Sequence, residues 1–222
     1  GTAGVLAEVR SNPNALAYES LGYVTTDVKM LKVDGVEATV ANIKNGTYKI
    51  SRPLQVVYQP AKGEEALNAA YLQFLASKQA QDIISEEGYV SMIDNASSYV
   101  PDPALEGTIN ISGSTSLQPL MLKLAEKYKE LQSKVTVTVS GGGSGTGYKD
   151  AKEGVSDFGM ISEEFNDEKA PGCSHYTVAK DGIAVIVHKD NGVSNISLET
   201  LKNIYDCEAG ESAVKTWAEV EK

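Results

Sequence analysis

Hydrophobic positions in the second half of the chain follow a helical spacing and then a strand spacing. The helical set is Leu117, Leu120, Met121, Leu124, Ala125, Tyr128 and Leu131, and the alternating set is Val135, Val137 and Val139. Two loops rich in glycine, serine and threonine border this unit, at 112–116 and 140–147. We therefore expect each loop to end a strand and to open a helix.

The rest of the pattern also predicts mixed helices and strands. A polar segment with two prolines, 94–106, is the best candidate for an internal boundary, and a new α/β unit begins at Gly107. The continuous apolar run 181–187 is typical of a buried strand. Before Asn45, the pattern predicts a helix around Val5 to Val9, a turn at 12–14, a strand over 15–24, and a hairpin of 29–33 and 36–40 that turns at Asp34-Gly35. After a turn at Asn45-Gly46 it predicts a strand over 54–58 and two helices within 64–87, which separate near Ser77 and end at Gly88. A last helix is predicted through Leu201, Ile204 and Tyr205.

The two hydroxyl-rich loops have the chemistry of an anion site. At a helix start the first backbone N–H groups lack partners and the helix dipole is positive, so an anion is stabilised without lysine or arginine. Serine and threonine hydroxyls add donors. Either loop alone is better explained as a helix cap or a flexible turn, but two in one unit favour a site. A nucleotide P-loop is excluded, since Gly147 is followed by Tyr148 rather than by lysine and then serine or threonine.

Composition narrows the class of partner. The 222 residues, 41% of them hydrophobic, suffice for one large or two small domains. A net charge of −10 argues against nucleic acid or an anionic membrane as partner. We find no signal peptide and no apolar run of membrane length, so evidence for the localisation of the protein has to come from elsewhere.

Cysteines and histidines give no sign of a metal or cofactor. Cys173 and Cys207 are too few and too widely spaced for a zinc or redox motif. They form one disulfide if the protein is exported, or stay two buried thiols, and the sequence leaves both alternatives open. His175 and His188 have no other ligand residue at a suitable spacing, and we interpret both as structural.

Several motifs resemble the phosphate-binding protein of high-affinity phosphate ABC transporters. Residues 107–222 resemble its N-terminal half and residues 1–100 its C-terminal half. The motifs of the first group are Gly-Ser-Thr-Ser-Leu-Gln-Pro-Leu (113–120), Gly-Gly-Gly-Ser-Gly-Thr-Gly (141–147), Asp-Phe-Gly-Met (157–160) and Asp-Gly-Ile-Ala-Val-Ile-Val (181–187). Those of the second are Asn-Pro-Asn-Ala (12–15), Ser-Leu-Gly-Tyr-Val (20–24), Ser-Arg-Pro-Leu (51–54) and Glu-Gly-Tyr-Val (87–90).

The resemblance implies an α/β, two-lobed periplasmic-binding-protein type II fold in circularly permuted order, because the two halves stand in reverse. The reversal indicates either an engineered permutant or a slice across two tandem domains. Lobe one is expected at 54–184, including the linker 94–106, and lobe two at 1–53 plus 185–222, with crossings near 184–189 and 51–58. The family's strand and helix that open with Ser-Gly-Thr-Arg have no counterpart here. Lobe two is therefore expected to be incomplete, and either loosely packed or completed by self-association.

The resemblance also implies which residues contact phosphate. Carried over by motif, they are Thr115 and Ser116 in the first loop and Ser144, Gly145 and Thr146 in the second, with Ser114 as a weaker candidate. A third position, where many members carry a carboxylate that accepts the proton of hydrogen phosphate, falls on Ser162. Selection against sulfate, which has no proton to donate, is then weaker, or Glu163 or Asp157 substitutes for the carboxylate. Asp157 is equally readable as a structural turn residue.

The expected function is a solute-binding protein that captures inorganic phosphate and delivers it to the membrane subunits of an ABC transporter. Such a protein works outside the membrane, in an extracellular, cell-surface or periplasmic location, and is not an enzyme. A phosphoryl-transfer enzyme is the less favoured alternative, because it needs a metal cluster, nucleophile or general base that the sequence does not supply. A further alternative is a structural or interaction module of a longer surface protein that binds no ligand.

Overall fold

A computed structural model of the chain describes residues 2–205 and 217–220 as alternating helices and strands. The helices are α1 (Thr2–Ser11), α2 (Val40–Lys44), α3 (Pro60–Glu64), α4 (Ala66–Leu75), α5 (Lys78–Glu86), α6 (Gln118–Leu131), α7 (Ser144–Glu153), α8 (Leu198–Tyr205) and α9 (Trp217–Val220). The strands are β1 (Leu16–Ser20), β2 (Val28–Met30), β3 (Lys32–Val33), β4 (Ser51–Tyr58), β5 (Gly107–Gly113), β6 (Val135–Ser140), β7 (Phe158–Ile161), β8 (Ser174–His188) and β9 (Asn195–Ile196).

The chain divides into two compact units. Unit 1 comprises Gly1–Ser51 and Asp181–Lys222, and unit 2 comprises Arg52–Lys180. The chain therefore passes between the units twice, after Ser51 and after Lys180. The linker 94–106 lies within unit 2 and contains no helix or strand, as predicted.

Unit 2 is built on a sheet with the strand order β4-β7-β5-β6. β5 pairs in parallel with both β6 and β7, and β4 runs antiparallel to β7. Ser112 lies opposite Ser140, and Gly113 opposite Met160, so three parallel strands end at the same edge of the sheet. Helix α6 connects β5 to β6, and α7 connects β6 to β7. The prediction that each hydroxyl-rich loop ends a strand and opens a helix is confirmed.

Apolar side chains cover both faces of this sheet. Helices α4, α5 and α6 pack on one face through Phe74, Ile84 and Tyr128, among others. Helix α7 packs on the other face, where Tyr148 joins a cluster with Val57. Helix α6 supplies its apolar stripe at the spacing read from the sequence, with Leu120, Met121, Leu124 and Tyr128 all buried. The two helices that carry the hydroxyl-rich loops therefore lie on opposite faces and converge at one edge.

The linker 94–106 is anchored rather than loose. Tyr99 is buried, and its hydroxyl lies 3.1 Å from the Tyr128 hydroxyl and donates to Gln132 Oε1 at 3.1 Å. The Gln132 amide in turn donates to the Asp102 carbonyl at 2.7 Å. These bonds fix the proline-containing segment to the end of α6.

Unit 1 contains a small antiparallel sheet. Residues 183–188 of β8 pair with β1, with Leu16 opposite Val187, and with β2, with Val28 opposite His188. Helix α1 contributes Leu6 and Val9 to the buried cluster beside these strands. A second pairing joins β3 and β9 in parallel.

Two sequence predictions in unit 1 are wrong. The strand predicted over 15–24 ends at Ser20, where the chain turns into a short 3-10 helix at Leu21–Tyr23. The second hairpin strand, 36–40, does not form. The turn at Asp34-Gly35 is present, with φ of 50° and 77°, but Val36 makes only an isolated bridge to Val33. The Thr39 side chain accepts a hydrogen bond from Asn42 N and starts α2, which removes Val40 from any strand.

Other predictions are confirmed or fall outside the described residues. Ser77 separates α4 from α5, and its hydroxyl accepts from Ala80 N; Gly88 follows with φ of 85°. Helix α3 was not predicted.

Cys173 is half-buried, and burial raises the pKa of its thiol. Its proposed disulfide partner, Cys207, lies outside the described residues. In the part of the chain that the structure describes, no helix is long and apolar enough to cross a membrane.

Candidate functional site

The candidate residues lie on three loops at the carboxyl ends of β5, β6 and β7. Two backbone bonds hold these loops together: Gly143 N donates to the Gly113 carbonyl at 2.9 Å, and Ser114 N donates to the Met160 carbonyl at 2.9 Å. In open α/β sheets, ligands bind outside the carboxyl ends of strands where consecutive helices leave on opposite faces. All seven predicted contact residues therefore belong to one edge of unit 2.

The first loop has one structural hydroxyl and two free ones. Ser114 is buried, and its hydroxyl accepts a hydrogen bond from Leu117 N at 3.3 Å, which supports the start of α6. Thr115 is exposed and Ser116 half-buried. Neither their hydroxyls nor their backbone N–H groups have a hydrogen-bond partner among the described residues. Thr115 and Ser116 are thus available to a ligand, whereas Ser114 serves the helix.

The second loop presents the first turn of α7. The first backbone bond of this helix runs from Gly147 N to the Gly143 carbonyl at 3.2 Å. The N–H groups of Ser144, Gly145 and Thr146 precede it and have no partner among the described residues. The Thr146 hydroxyl donates to the Gly142 carbonyl at 2.9 Å, so Thr146 offers a ligand its N–H and not its hydroxyl proton.

The third loop orients the Ser144 hydroxyl. Ser162 N donates to Ser144 Oγ at 3.1 Å, and the two hydroxyl oxygens lie 3.3 Å apart. Because Ser144 Oγ already accepts a backbone N–H, its proton is left to be donated either to Ser162 or to a ligand. The structure thereby brings the candidate of the third loop into contact with that of the second.

Two glycines allow the loops to approach each other. A Cβ at Gly113 would lie 2.7 Å from the Gly147 Cα, and a Cβ at Gly147 would meet the Met160 backbone. Any larger residue at these positions would separate α7 from β5 and β7. Sequence reasoning assigned these glycines to flexible loops and missed this role. A glycine one turn inside a predicted helix, as Gly147 is, was the available signal.

The nearby carboxylates are engaged elsewhere. Asp157 accepts hydrogen bonds from Asn110 N at 2.8 Å and from Asn68 Nδ2 at 3.2 Å, which supports its interpretation as a structural turn residue. Both oxygens of Glu163 accept from Lys169 Nζ at 3.1 Å. A third carboxylate, that of Asp150, accepts from the Ser112 hydroxyl at 2.7 Å.

Neutral donors dominate the described site. Its free groups are backbone N–H groups and hydroxyls at two helix starts, which suit the oxygens of a tetrahedral anion. Burial raises the pKa of the Tyr148 hydroxyl, which lies one turn into α7 and stays protonated at neutral pH. Among the described residues, no group of three or more His, Cys, Asp or Glu side chains is placed to hold a metal ion.

Comparison with known proteins identifies the family. A model described as a PBP superfamily domain matches residues 100–221. The phosphate-binding protein PstS 2 of Streptococcus agalactiae serotype V is 38% identical over 92% of this chain and 69% of its own length. PstS 2 of Streptococcus pneumoniae serotype 4 is 35% identical, with the same two shares. The chain belongs to the PstS family.

A solved structure supports the same assignment. The crystal structure of a phosphate-binding protein of a phosphate ABC transporter from Streptococcus pneumoniae matches with a TM-score of 0.91 and 34% identity, over 99% of this chain and 82% of that one. The expected PstS resemblance and the periplasmic-binding-protein type II fold are confirmed. The relatives are binding proteins, which also confirms that the chain is not an enzyme. The permuted order, the incomplete second lobe and the phosphate contacts of single residues stay predictions.

Proposed function

We propose that this PstS protein captures inorganic phosphate at the edge of unit 2 formed by the three loops. The observation that carries the proposal is the set of donors there without a partner among the described residues: the N–H groups of Thr115, Ser116, Ser144, Gly145 and Thr146, and the hydroxyls of Thr115 and Ser116. Five amides and two hydroxyls match the many acceptor sites of a phosphate dianion. Two helix dipoles add favourable potential.

Selection between oxyanions depends on the third loop. At Ser162, a hydroxyl takes the place of the carboxylate that many relatives are expected to carry, and it both donates and accepts. Asp157 and Glu163 already accept hydrogen bonds from other groups, which supports Ser162 as the residue in this role. We therefore expect phosphate and arsenate to compete for one site, and sulfate to compete more strongly than it would against a carboxylate. We do not expect nucleotides to bind at this site.

The proposal extends to location and partners. The relatives are named as phosphate-binding proteins, and the similar solved protein is part of a phosphate ABC transporter. Delivery of a solute to a transporter requires the protein to work outside the membrane and to contact the membrane subunits. We assign this chain the same place and the same partners.

Titration calorimetry with inorganic phosphate tests the proposal. Ser144→Ala is expected to weaken binding by about 1–3 kcal/mol, because it removes a hydrogen bond to a charged ligand. Ser97→Ala is the matched control, since Ser97 lies exposed in the linker and should bind as the unmodified protein does.

Two outcomes contradict the proposal. If no oxyanion gives heat or thermal protection at millimolar concentration, the chain is a non-binding module of a longer protein. If phosphate binds but Ser144→Ala has full affinity, the second loop is only a turn and the anion lies elsewhere.

A further inference from the structure

We propose that Gln118, which the motif analysis did not select, is a further phosphate-contacting and anion-selecting residue. This inference rests on the proposed function, since it adds a ligand group to the same site. Gln118 is the first residue of α6, directly after the Thr115–Ser116 loop. It lies in unit 2 with the other candidate residues.

The Gln118 side chain reaches across to the second loop. A Cβ at Gly141 would lie 2.8 Å from Gln118 Oε1 and 3.3 Å from Thr115 Cγ2. The amide of Gln118 and the side chain of Thr115 therefore occupy the same gap between the two loops. Gly141 leaves room for both because it has no side chain.

The amide has no structural task that explains this placement. The backbone N–H of Gln118 donates to the Ser114 carbonyl at 3.1 Å, but the Gln118 side chain has no hydrogen-bond partner among the described residues. Gln118 is half-buried, and its amide is not among the fully buried polar groups that lack a partner, so it stays open to a ligand. An anion between the loops would satisfy it.

The chemistry of an amide suits a site whose described free groups are neutral. The NH₂ group donates to a ligand oxygen, and the carbonyl oxygen accepts the proton of hydrogen phosphate. Asp157 and Glu163 already accept hydrogen bonds from other groups, so Gln118 is the freer acceptor. Gln118 thus offers the site a second neutral acceptor beside the Ser162 hydroxyl.

Calorimetry with phosphate and with sulfate on three proteins tests the inference. Gln118→Leu replaces the amide with an apolar side chain that is slightly shorter, and it should weaken phosphate binding by on the order of tenfold or more. Gln73→Leu is the control, because Gln73 is an exposed glutamine on α4 in the same unit. Its phosphate affinity should equal that of the unmodified protein.

Gln118→Glu keeps the acceptor and removes the donor. A carboxylate at this position should lower sulfate affinity at least tenfold more than phosphate affinity, since only phosphate has a proton to donate. This ratio also decides the matter if Gln118→Leu fails to fold.

The outcomes separate this inference from the proposed function. If the unmodified protein binds no phosphate, the proposed function fails. If it binds and Gln118→Leu binds within twofold of it, or if Gln118→Glu leaves the ratio of phosphate to sulfate affinity unchanged, Gln118 has no role in the site. Gly141→Ala gives an independent check: it should weaken binding in the unmodified protein and add little to Gln118→Leu, because both act on the same amide.

Discussion

The hydrogen bonds that a hydroxyl already makes within the protein decide whether its proton and lone pairs are available to a ligand at this site. The seven predicted residues are similar in the sequence, yet the structure gives them different tasks. Ser114 supports a helix start and Thr146 donates to a carbonyl, whereas Ser144 accepts from Ser162 N and keeps its own proton. Motif reasoning finds such residues and marks Ser114 as the weaker candidate, but it does not rank the others. The ranking depends on hydrogen bonds between loops that are distant in sequence.

Tyr71 allows a stability prediction at the same scale. It is fully buried among Phe74, Tyr128 and Phe158, and its hydroxyl has no hydrogen-bond partner in the described part of the chain. Tyr71→Phe removes that polar atom and keeps the ring. At pH 8 the free energy of unfolding should therefore stay the same or rise by about 1 kcal/mol.

The same variant should change the response to alkaline pH. Burial raises the pKa of Tyr71 above its ordinary value near 10, so the folded state keeps a proton that the unfolded state loses. The contribution of this protonated Tyr71 to the free energy of unfolding is fully present below pH 10. It is lost as pH rises above 10, by up to about 1.4 kcal/mol per pH unit for one group. Urea unfolding between pH 8 and pH 11 should show a shallower loss for Tyr71→Phe than for the unmodified protein.

An exposed tyrosine supplies the control for this measurement. Tyr23→Phe, at a side chain 46% exposed, should leave the pH dependence unchanged. Identical slopes for Tyr71→Phe and the unmodified protein would mean that Tyr71 is accessible to hydroxide in the folded state.

At the scale of elements, unit 2 follows its sequence pattern more closely than unit 1 does. Helix α6 and strand β6 lie where the apolar spacing placed them, because local pattern and tertiary burial agree over many residues. The segment 36–40 shows the opposite case. Its alternating residues suit a strand, but the Thr39 cap and the parallel partner of β3 decide the outcome. Neither the cap nor a partner more than 150 residues away is visible in a local pattern.

Helix α7 depends on glycine at one position and not at a neighbouring one. A Cβ at Gly147 would meet the Met160 backbone, whereas a Cβ at Gly145 has nothing within 4 Å. Gly147→Ala should lower the free energy of unfolding by about 1–3 kcal/mol, since α7 must move away from β7. Gly145→Ala should leave it unchanged or raise it by up to about 1 kcal/mol, because alanine favours helix. Urea unfolding of both variants measures this, and equal stability for the two would show that the contact between α7 and β7 is not close.

At the scale of the whole molecule, the sequence indicated two lobes through its resemblance and not through its composition. The structure has two compact units, and the chain passes between them twice. Periodicity could not reveal this, because β4 and β8 read as ordinary single strands although each continues from one unit into the other. The candidate site does not involve this passage between units, since all its predicted residues lie in unit 2.

Hydrogen exchange with and without phosphate tests whether this assignment to one unit holds for binding. A ligand that binds the folded state stabilises it by about 2.7 kcal/mol at a concentration one hundred times its Kd. If phosphate is held by the loops after β5, β6 and β7, exchange should slow in α6, α7 and the strands of unit 2, and stay unchanged in α1 and β1. The backbone amides of Thr115, Ser144 and Gly145 should gain protection most directly, because no described residue bonds to them in the absence of the ligand. Mass spectrometry of peptides from both units reads this out, with chloride at equal ionic strength as the control. Equal slowing in both units would show that residues 1–51 or 181–222 also hold the anion.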